Sequence, residues 1–212
     1  MTNPCLLSRR PARGKATIGP APLNASNEDD AINLRNWPVT GIPEPDALAS
    51  YRSRGDTFLV TANEGGARDY DGFSEEERLG DVEHCEGFEH DGIGAQELQQ
   101  DENLGRLNIT TVNGFDEDED EECVEEIHAY GGRSFSIYTP DGELVYDSGS
   151  DFEEITADLL GENGFNANND ELGDDAFDSR SDDKGPEPEG VAVGKVYGKT
   201  YAFVGLERLA AS

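Results

Sequence analysis

The sequence predicts an all-β chain assembled from a repeated hairpin, with long acidic loops between its strands. Three observations carry this. The first is the pair of segments Gly190-Val191-Ala192-Val193-Gly194 and Thr200-Tyr201-Ala202-Phe203-Val204, separated by Val196-Tyr197-Gly198-Lys199. Both alternate with a period of two and favour β-branched or aromatic residues, the pattern of a half-buried strand, and the residues between them supply turn chemistry. The second is that the unit occurs twice. Pro45 aligns with Pro188, Gly55 with Gly198, Thr57 with Thr200 and Glu64 with Glu207, all at one offset without a gap. A repeated hairpin too small to bury its own face implies a stacked or radial β architecture. The third is Thr139-Pro140-Asp141-Gly142 between Ser134–Tyr138 and Glu143–Asp147. Proline presets φ and glycine accepts a positive φ, so this is a hairpin turn.

The remaining elements follow in order. Asp30–Val39 reads as a strand end entering a loop, with Trp37 as a packing anchor under the first hairpin. Residues 47–51 and 57–62 form that hairpin. From Asn63 to Asn103 the chain is loop-like, and such a length calls for local structure or function. Ser74 with Glu77 three residues on predicts a helix over 75–79, and a second short helix is expected over 95–100. Leu104–Thr111 and Glu126–Tyr130 read as strands, while apolar residues at 152, 155, 159 and 160 predict a helix. Residues 161–185 are rich in Asn, Asp and Gly. Hairpins 47–62 and 133–147 together supply four antiparallel strands, the content of a propeller blade, and 190–205 opens another. The expected architecture is a partial β-propeller of about one and a half blades.

Charge narrows the functions. Of 212 residues, 47 are Asp or Glu and 16 are Lys or Arg, for a formal net charge of −31. Nucleic acid and anionic membranes are poor partners for such a chain. Salt or divalent cations suit it, because both screen self-repulsion. Residues 1–25 stand apart: Arg9, Arg10, Arg13 and Lys15 fall in a stretch without an acid up to Pro20. We read 1–25 as a disordered basic leader and 26–212 as the domain. Cys5-Leu6-Leu7 runs at once into Ser8-Arg9-Arg10, so this opening lacks the apolar core of a secretory signal, and no stretch is long enough for membrane insertion. The three cysteines Cys5, Cys85 and Cys123 match no metal spacing. Cys85 and Cys123 sit in acidic loops and are able to pair in an oxidising compartment, leaving Cys5 alone; free thiols fit a reducing one equally.

Several strings carry a resemblance: Ile32–Val39, Thr61–Gly65, Ala67–Tyr70, Asp101–Leu107 and Phe177–Gly190. Between Asn27 and Arg208 the chain resembles the choice-of-anchor I domain family, whose members are often labelled alkaline-phosphatase-like. The resemblance implies an extracellular seven-bladed-type propeller tethered to the cell surface, and it brings no catalytic residue set. Against that pattern the chain reads as a fragment, with the remaining blades and an anchor missing.

The candidate site residues lie in loops. Asp116, Asp118 and Asp120 alternate with Glu117 and Glu119, a spacing that calcium loops share. Counted from Asp116, however, the sixth and twelfth positions are Glu121 and Ile127 where a calcium hand needs Gly and Glu. The sequence predicts metal ligands among Glu64, Asp69, Asp71, Asp182, Asp183 and Glu189, and an anion or phosphate contact at Arg68 and Arg180. Calcium is the expected ion. The plainer reading pairs Arg180 with Asp182 to fix a loop. His84, His90 and His128 share no motif, and Ser134 and Ser179 lie in no nucleophile elbow. The sequence points to an extracellular or cell-surface binding scaffold with cation sites. A calcium-dependent phosphoesterase is the competing function, and would need loops 64–71 and 178–189 to converge on a metal with open positions.

Overall fold

A computed structural model describes residues 21–116, 123–169 and 176–209. The leader up to residue 20, Cys5, and Asp118 and Asp120 of the acidic run lie outside the described residues. The domain boundary moves toward the N-terminus. Leu23 exchanges backbone hydrogen bonds with Arg35, and Asn24 and Ala25 are buried, so these residues belong to the fold and not to a leader.

Most described elements are strands. β1 (Val39–Ile42), β2 (Ala47–Ser53) and β3 (Asp56–Asn63) precede a run of short pieces. Those are β4 (Asp69–Tyr70), β5 (Phe73–Ser74), β6 (Glu76–Arg78), β7 (Glu89–His90), β8 (Ile93–Gly94), helix α1 (Ala95–Leu98), β9 (Asn108–Thr110), β10 (Phe115–Asp116) and β11 (Cys123–Val124). Then come β12 (Ile127–Tyr130), β13 (Ser134–Tyr138), β14 (Leu144–Asp147), helix α2 (Asp151–Leu160), β15 (Pro188–Val196) and β16 (Lys199–Leu206).

The largest sheet has the order β14-β13-β3-β2, with every neighbour antiparallel. It joins the two hairpins expected to share a sheet, although residues 64–133 separate them in sequence. β15 and β16 form a separate two-stranded ribbon that packs against β2 and β3. The described strands do not close into a barrel or ring.

The repeat holds to the register. Ser53 faces Asp56 and Ala49 faces Val60 in the first hairpin; at equivalent positions Val196 faces Lys199 and Ala192 faces Phe203 in the second. Both turns place their central residues at positive φ: Arg54 (54°) and Gly55 (102°), then Tyr197 (48°) and Gly198 (77°). That sign at both positions belongs to the hairpin turn whose twist matches the strands. Even the Pro-Glu-Pro lead-in repeats, with Glu44 and Glu187 both at positive φ.

The hydrophobic core sits in the long insertion. Leu79, Leu98, Leu104, Leu107, Ile109, Val124 and Ile127 pack with Ala25, Trp37 and Val39. Trp37 therefore anchors the insertion, not the first hairpin. Its ring carries Arg35, whose guanidinium carbon lies 4.3 Å from the centroid. The helix expected over 75–79 is replaced by β6, paired antiparallel with β9, and a 3-10 turn over Leu79–Asp81. Ser74 caps no helix: its hydroxyl accepts from the Glu76 N–H in a local turn. Pairing with buried β9 outweighs the local capping pattern.

Helix α2 forms as expected, but with another face inward. Glu153 and Thr156 are buried, whereas Leu159 is 72% exposed. Arg133 draws Glu153 inward through an ion pair of 2.9 Å. Of the predicted strand 104–111, only β9 is extended, because residues 101–106 turn after α1. Cys85 and Cys123 are joined by a disulfide with Cα atoms 4.9 Å apart.

Candidate functional site

Loop 176–187, between α2 and the second hairpin, holds Arg180, Asp182 and Asp183 of the predicted site residues. Its backbone folds on itself: the Ser181 N–H donates to the Asp178 carbonyl, and the Asp183 and Gly185 N–H groups both donate to Arg180. A coil this tight sends successive side chains in different directions, and each reaches another part of the protein.

Asp182 points to the insertion. Its carboxylate lies 2.8 Å from Arg78 on β6 and 3.6 Å from Arg106. Lys184 points to the first hairpin, 2.7 Å from Glu64 at the end of β3. Arg180 binds Asp183 and, at 2.6 Å, Glu187. Glu187 is 1% exposed and also lies 3.1 Å from Arg208 and 3.5 Å from Lys184. Burial opposes ionisation of Glu187, but the Arg180 hydrogen bond and the Lys184 and Arg180 charges outweigh it and hold its carboxyl below the usual range.

The opposite flank of the loop is a buried polar node. Asn24 Nδ2 donates to Asp178 Oδ1 at 2.7 Å and to Ser181 Oγ at 3.0 Å. Asn166 Nδ2 donates to Ser181 Oγ and Glu153 Oε1, both at 2.8 Å. Arg133 closes the node, donating to the carbonyls of Asn24, Ser181 and Asp183 and to Glu153. Two buried oxygens of the node, Asp178 Oδ2 and Asn166 Oδ1, accept no hydrogen bond from the described residues. Burial pushes the Asp178 carboxyl up to about 7, with the charges of Asp29 and Glu153 adding to the rise against hydrogen bonds from Ser181 and Asn24.

Loops 64–71 and 178–189 do meet, but through Lys184. Beside this contact, loop 64–71 also packs closely on the turn before β13: a Cβ on Gly65 would lie 2.0 Å from the Gly131 nitrogen. Oxygens of Glu64, Glu187 and Glu207 come within 4.8 Å of one another, and of the expected metal ligands only Glu64 is in this group. The Lys184 ammonium stands between Glu64 and Glu187, where a cation would bind. Asp182 and Asp183 face arginines, while Asp69, Asp71 and Glu189 are exposed and do not belong to the group. Arg180 does not pair with Asp182 as the plainer reading expects; each has other partners. Arg68 binds Glu75 at 2.7 Å.

A cleft of about 260 Å³ lies beside the node, lined in part by Asn63, Tyr130, Arg133, Ser134, Asp147 and Glu153. Across its sheet wall Asn63 donates to Ser134 and Ser136, and both serines donate to Asp147. The serines thus hold strands together. The histidines lie elsewhere, His90 against the Asn36 carbonyl and His128 against Glu126.

Sequence reasoning missed Asn24, Arg78, Arg106, Arg133, Glu153, Asn166 and Arg208. One signal was available for the arginines: among 47 acids, the 16 bases are scarce. A base inside an otherwise acidic or apolar stretch is then a candidate for an internal tie.

These observations define an all-β domain in which the acidic loop 176–187 is a structural clamp. The chain belongs to the choice-of-anchor I domain family, which it matches over residues 14–211. It is 29% identical over 223 aligned positions to the mesenchyme-specific cell surface glycoprotein of Strongylocentrotus purpuratus, covering 89% of this chain and 28% of that protein. It is 38% identical over 114 positions to Gigasin-3a of Magallana gigas, covering 52% of this chain and 39% of that protein. The chain thus spans well under half the length of these relatives. No solved structure matches it. Among the described residues no helix is long and apolar enough to cross a membrane.

Proposed function

We propose that this chain is part of a non-enzymatic binding scaffold displayed outside the cell, built from propeller-type blades and steadied by calcium on its acidic loops. The observation that carries the reading is the register-matched pair of hairpins, one packed on the other, beside a four-stranded antiparallel sheet. Consecutive blades of a propeller meet in this manner. Placement outside the cell is supported by the name of the sea-urchin relative, a cell surface glycoprotein, and by the disulfide, which suits an oxidising compartment.

Phosphoesterase chemistry is the weaker reading. It needs a metal with open positions and an arginine free to meet phosphate. Arg68 and Arg180 already bind Glu75, Asp183 and Glu187, and Lys184 lies between the carboxylates that converge.

The test has two arms on the purified chain. Hydrolysis of p-nitrophenyl phosphate is measured with and without Ca²⁺, and no turnover is expected; calcium-dependent turnover would overturn the scaffold reading. Thermal melting is then compared in Ca²⁺, Mg²⁺, chelator and NaCl at matched ionic strength. Calcium is expected to raise Tm above matched NaCl, because its flexible six-to-eight-oxygen shell suits loop carboxylates. Equal Tm values would remove calcium from the proposal.

A further inference from the structure

The two hairpins present the same pair of faces, but each has a different face covered. Side chains alternate along a strand, so each hairpin has two chemically distinct sides. One side of the first hairpin carries Ala47, Ala49, Tyr51, Phe58, Val60 and Ala62. Val60 is 0% exposed, and β15 packs over this side. β15 contributes Val191 and Val193, which are half-buried, while intervening Ala192 is exposed. The intramolecular contact therefore joins the small-and-aromatic side of the first hairpin to the aliphatic side of the second.

The complementary sides are only partly covered. The small-and-aromatic side of the second hairpin holds Gly190, Ala192, Gly194, Tyr201 and Phe203. Phe203 occupies the position of Val60 yet is 59% exposed. A Cβ added at Gly190 would meet nothing within 4 Å, so this surface is flat as well as bare. On the first hairpin the other side is open along β2, with Leu48 62% exposed beside Ser50 and Arg52, while Thr61 opposite Leu48 on β3 is buried. Its chemistry parallels the side already used in the second hairpin: Leu48 stands for Val191, Arg52 for Lys195 and Thr57 for Thr200.

We propose that the open side of β15–β16 receives the open side of β2–β3 from a second copy of this chain, so that copies associate head to tail. The contact between the two hairpins of one chain is the template, and the inference does not require the scaffold reading. Such a contact uses different patches on the two partners, so it leaves one free at each end and builds rings or open arrays. The net charge of −31 opposes it, and salt is therefore required to reveal it.

The experiment is sedimentation or light scattering of the whole chain across concentration, at low and at high NaCl. Apparent mass is expected to rise with concentration, and more steeply in high salt. Two variants sharpen it: Phe203→Lys spoils one side and Leu48→Lys the other, at exposed positions and without added negative charge. Each alone is expected to remain monomeric, with circular dichroism confirming the fold. An equimolar mixture is expected to form a dimer and stop there, because one variant retains each side. A wild-type chain that stays monomeric at every salt concentration overturns the proposal. So does assembly that survives both single variants, the result expected of strand pairing along the β16 edge, and so does a mixture that fails to pair.

Discussion

Replacing Asp178 with Asn is expected to stabilise the protein, and more so as pH rises. Asp178 is 3% exposed; its Oδ1 accepts from Asn24 and Ser181, while Oδ2 has no donor among the described residues. Burial raises its pKa from 3.8 to about 7. A carboxyl whose folded-state pKa exceeds its unfolded value favours the folded state when protonated. The penalty for ionising it appears as pH climbs through the unfolded value, grows up to about 7 and is constant above. At 1.36 kcal/mol per pH unit, the rise from 3.8 to about 7 sets an upper bound of about 4 kcal/mol, and relaxation around the node makes about 2 kcal/mol a realistic expectation. In Asp178→Asn the new amide would retain an oxygen toward Asn24 and Ser181 and place an uncharged donor where Oδ2 now lacks one. Urea unfolding of both proteins at intervals from pH 4.5 to 8.5 gives the difference directly, and changes common to both cancel. The difference should grow to a plateau near neutrality. A variant less stable than wild type at pH 8, or a difference independent of pH, would refute the reasoning.

Glu187→Ala leaves Arg180, Lys184 and Arg208 around a vacated buried position and should cost about 3–5 kcal/mol, read as a shift in the urea midpoint. Because the Glu187 pKa is depressed, its contribution is complete above about pH 4.3, the unfolded value, and is lost as pH falls through the folded one; the variant should therefore be less acid-sensitive than wild type below about pH 4.3. Reducing the Cys85–Cys123 bond, which spans a sequence separation of 38, should lower stability by about 2–4 kcal/mol, measured by melting with and without a phosphine reductant.

The strands were legible because their signals are local. Alternation and turn residues marked both repeated hairpins and the Pro140-Asp141-Gly142 turn, and these appear with little change of boundary. The insertion was not legible for the opposite reason. Its core residues Leu79, Leu98, Leu104 and Leu107 come singly from turns and pieces of two to four residues, so they form no periodic run. The Ser74–Glu77 capping pattern misled because β9, more than twenty residues away in sequence, competes for the same backbone. The site was half legible. Asp182, Asp183 and Arg180 were recognised as belonging together in a special loop, but their partners arrive from Arg78, Arg106 and Glu187, and no spacing rule connects residue 78 with residue 182.

Charge placement leads to the last prediction. Arg78, Arg106, Arg133, Arg180, Lys184 and Arg208 all turn inward to the clamp, although the chain has only 16 bases for 47 acids. Drawing bases inward neutralises buried acids such as Glu153 and Glu187 and leaves surface acids with few opposite charges. The two populations respond differently to salt. Exposed carboxylates repel across distances that about 0.15 M salt screens, whereas buried pairs are screened much less. Added NaCl should therefore relieve surface repulsion faster than it weakens the clamp, and Tm should rise monotonically from low to molar NaCl. Glu187→Ala should retain that rise in full, displaced downward, because it removes a buried tie and leaves the surface unchanged. A Tm that falls with salt would mean that exposed ion pairs hold the fold. A salt response lost in Glu187→Ala would mean that the clamp is itself solvated, and loop 176–187 could then not be the tie that holds the insertion and the hairpins together.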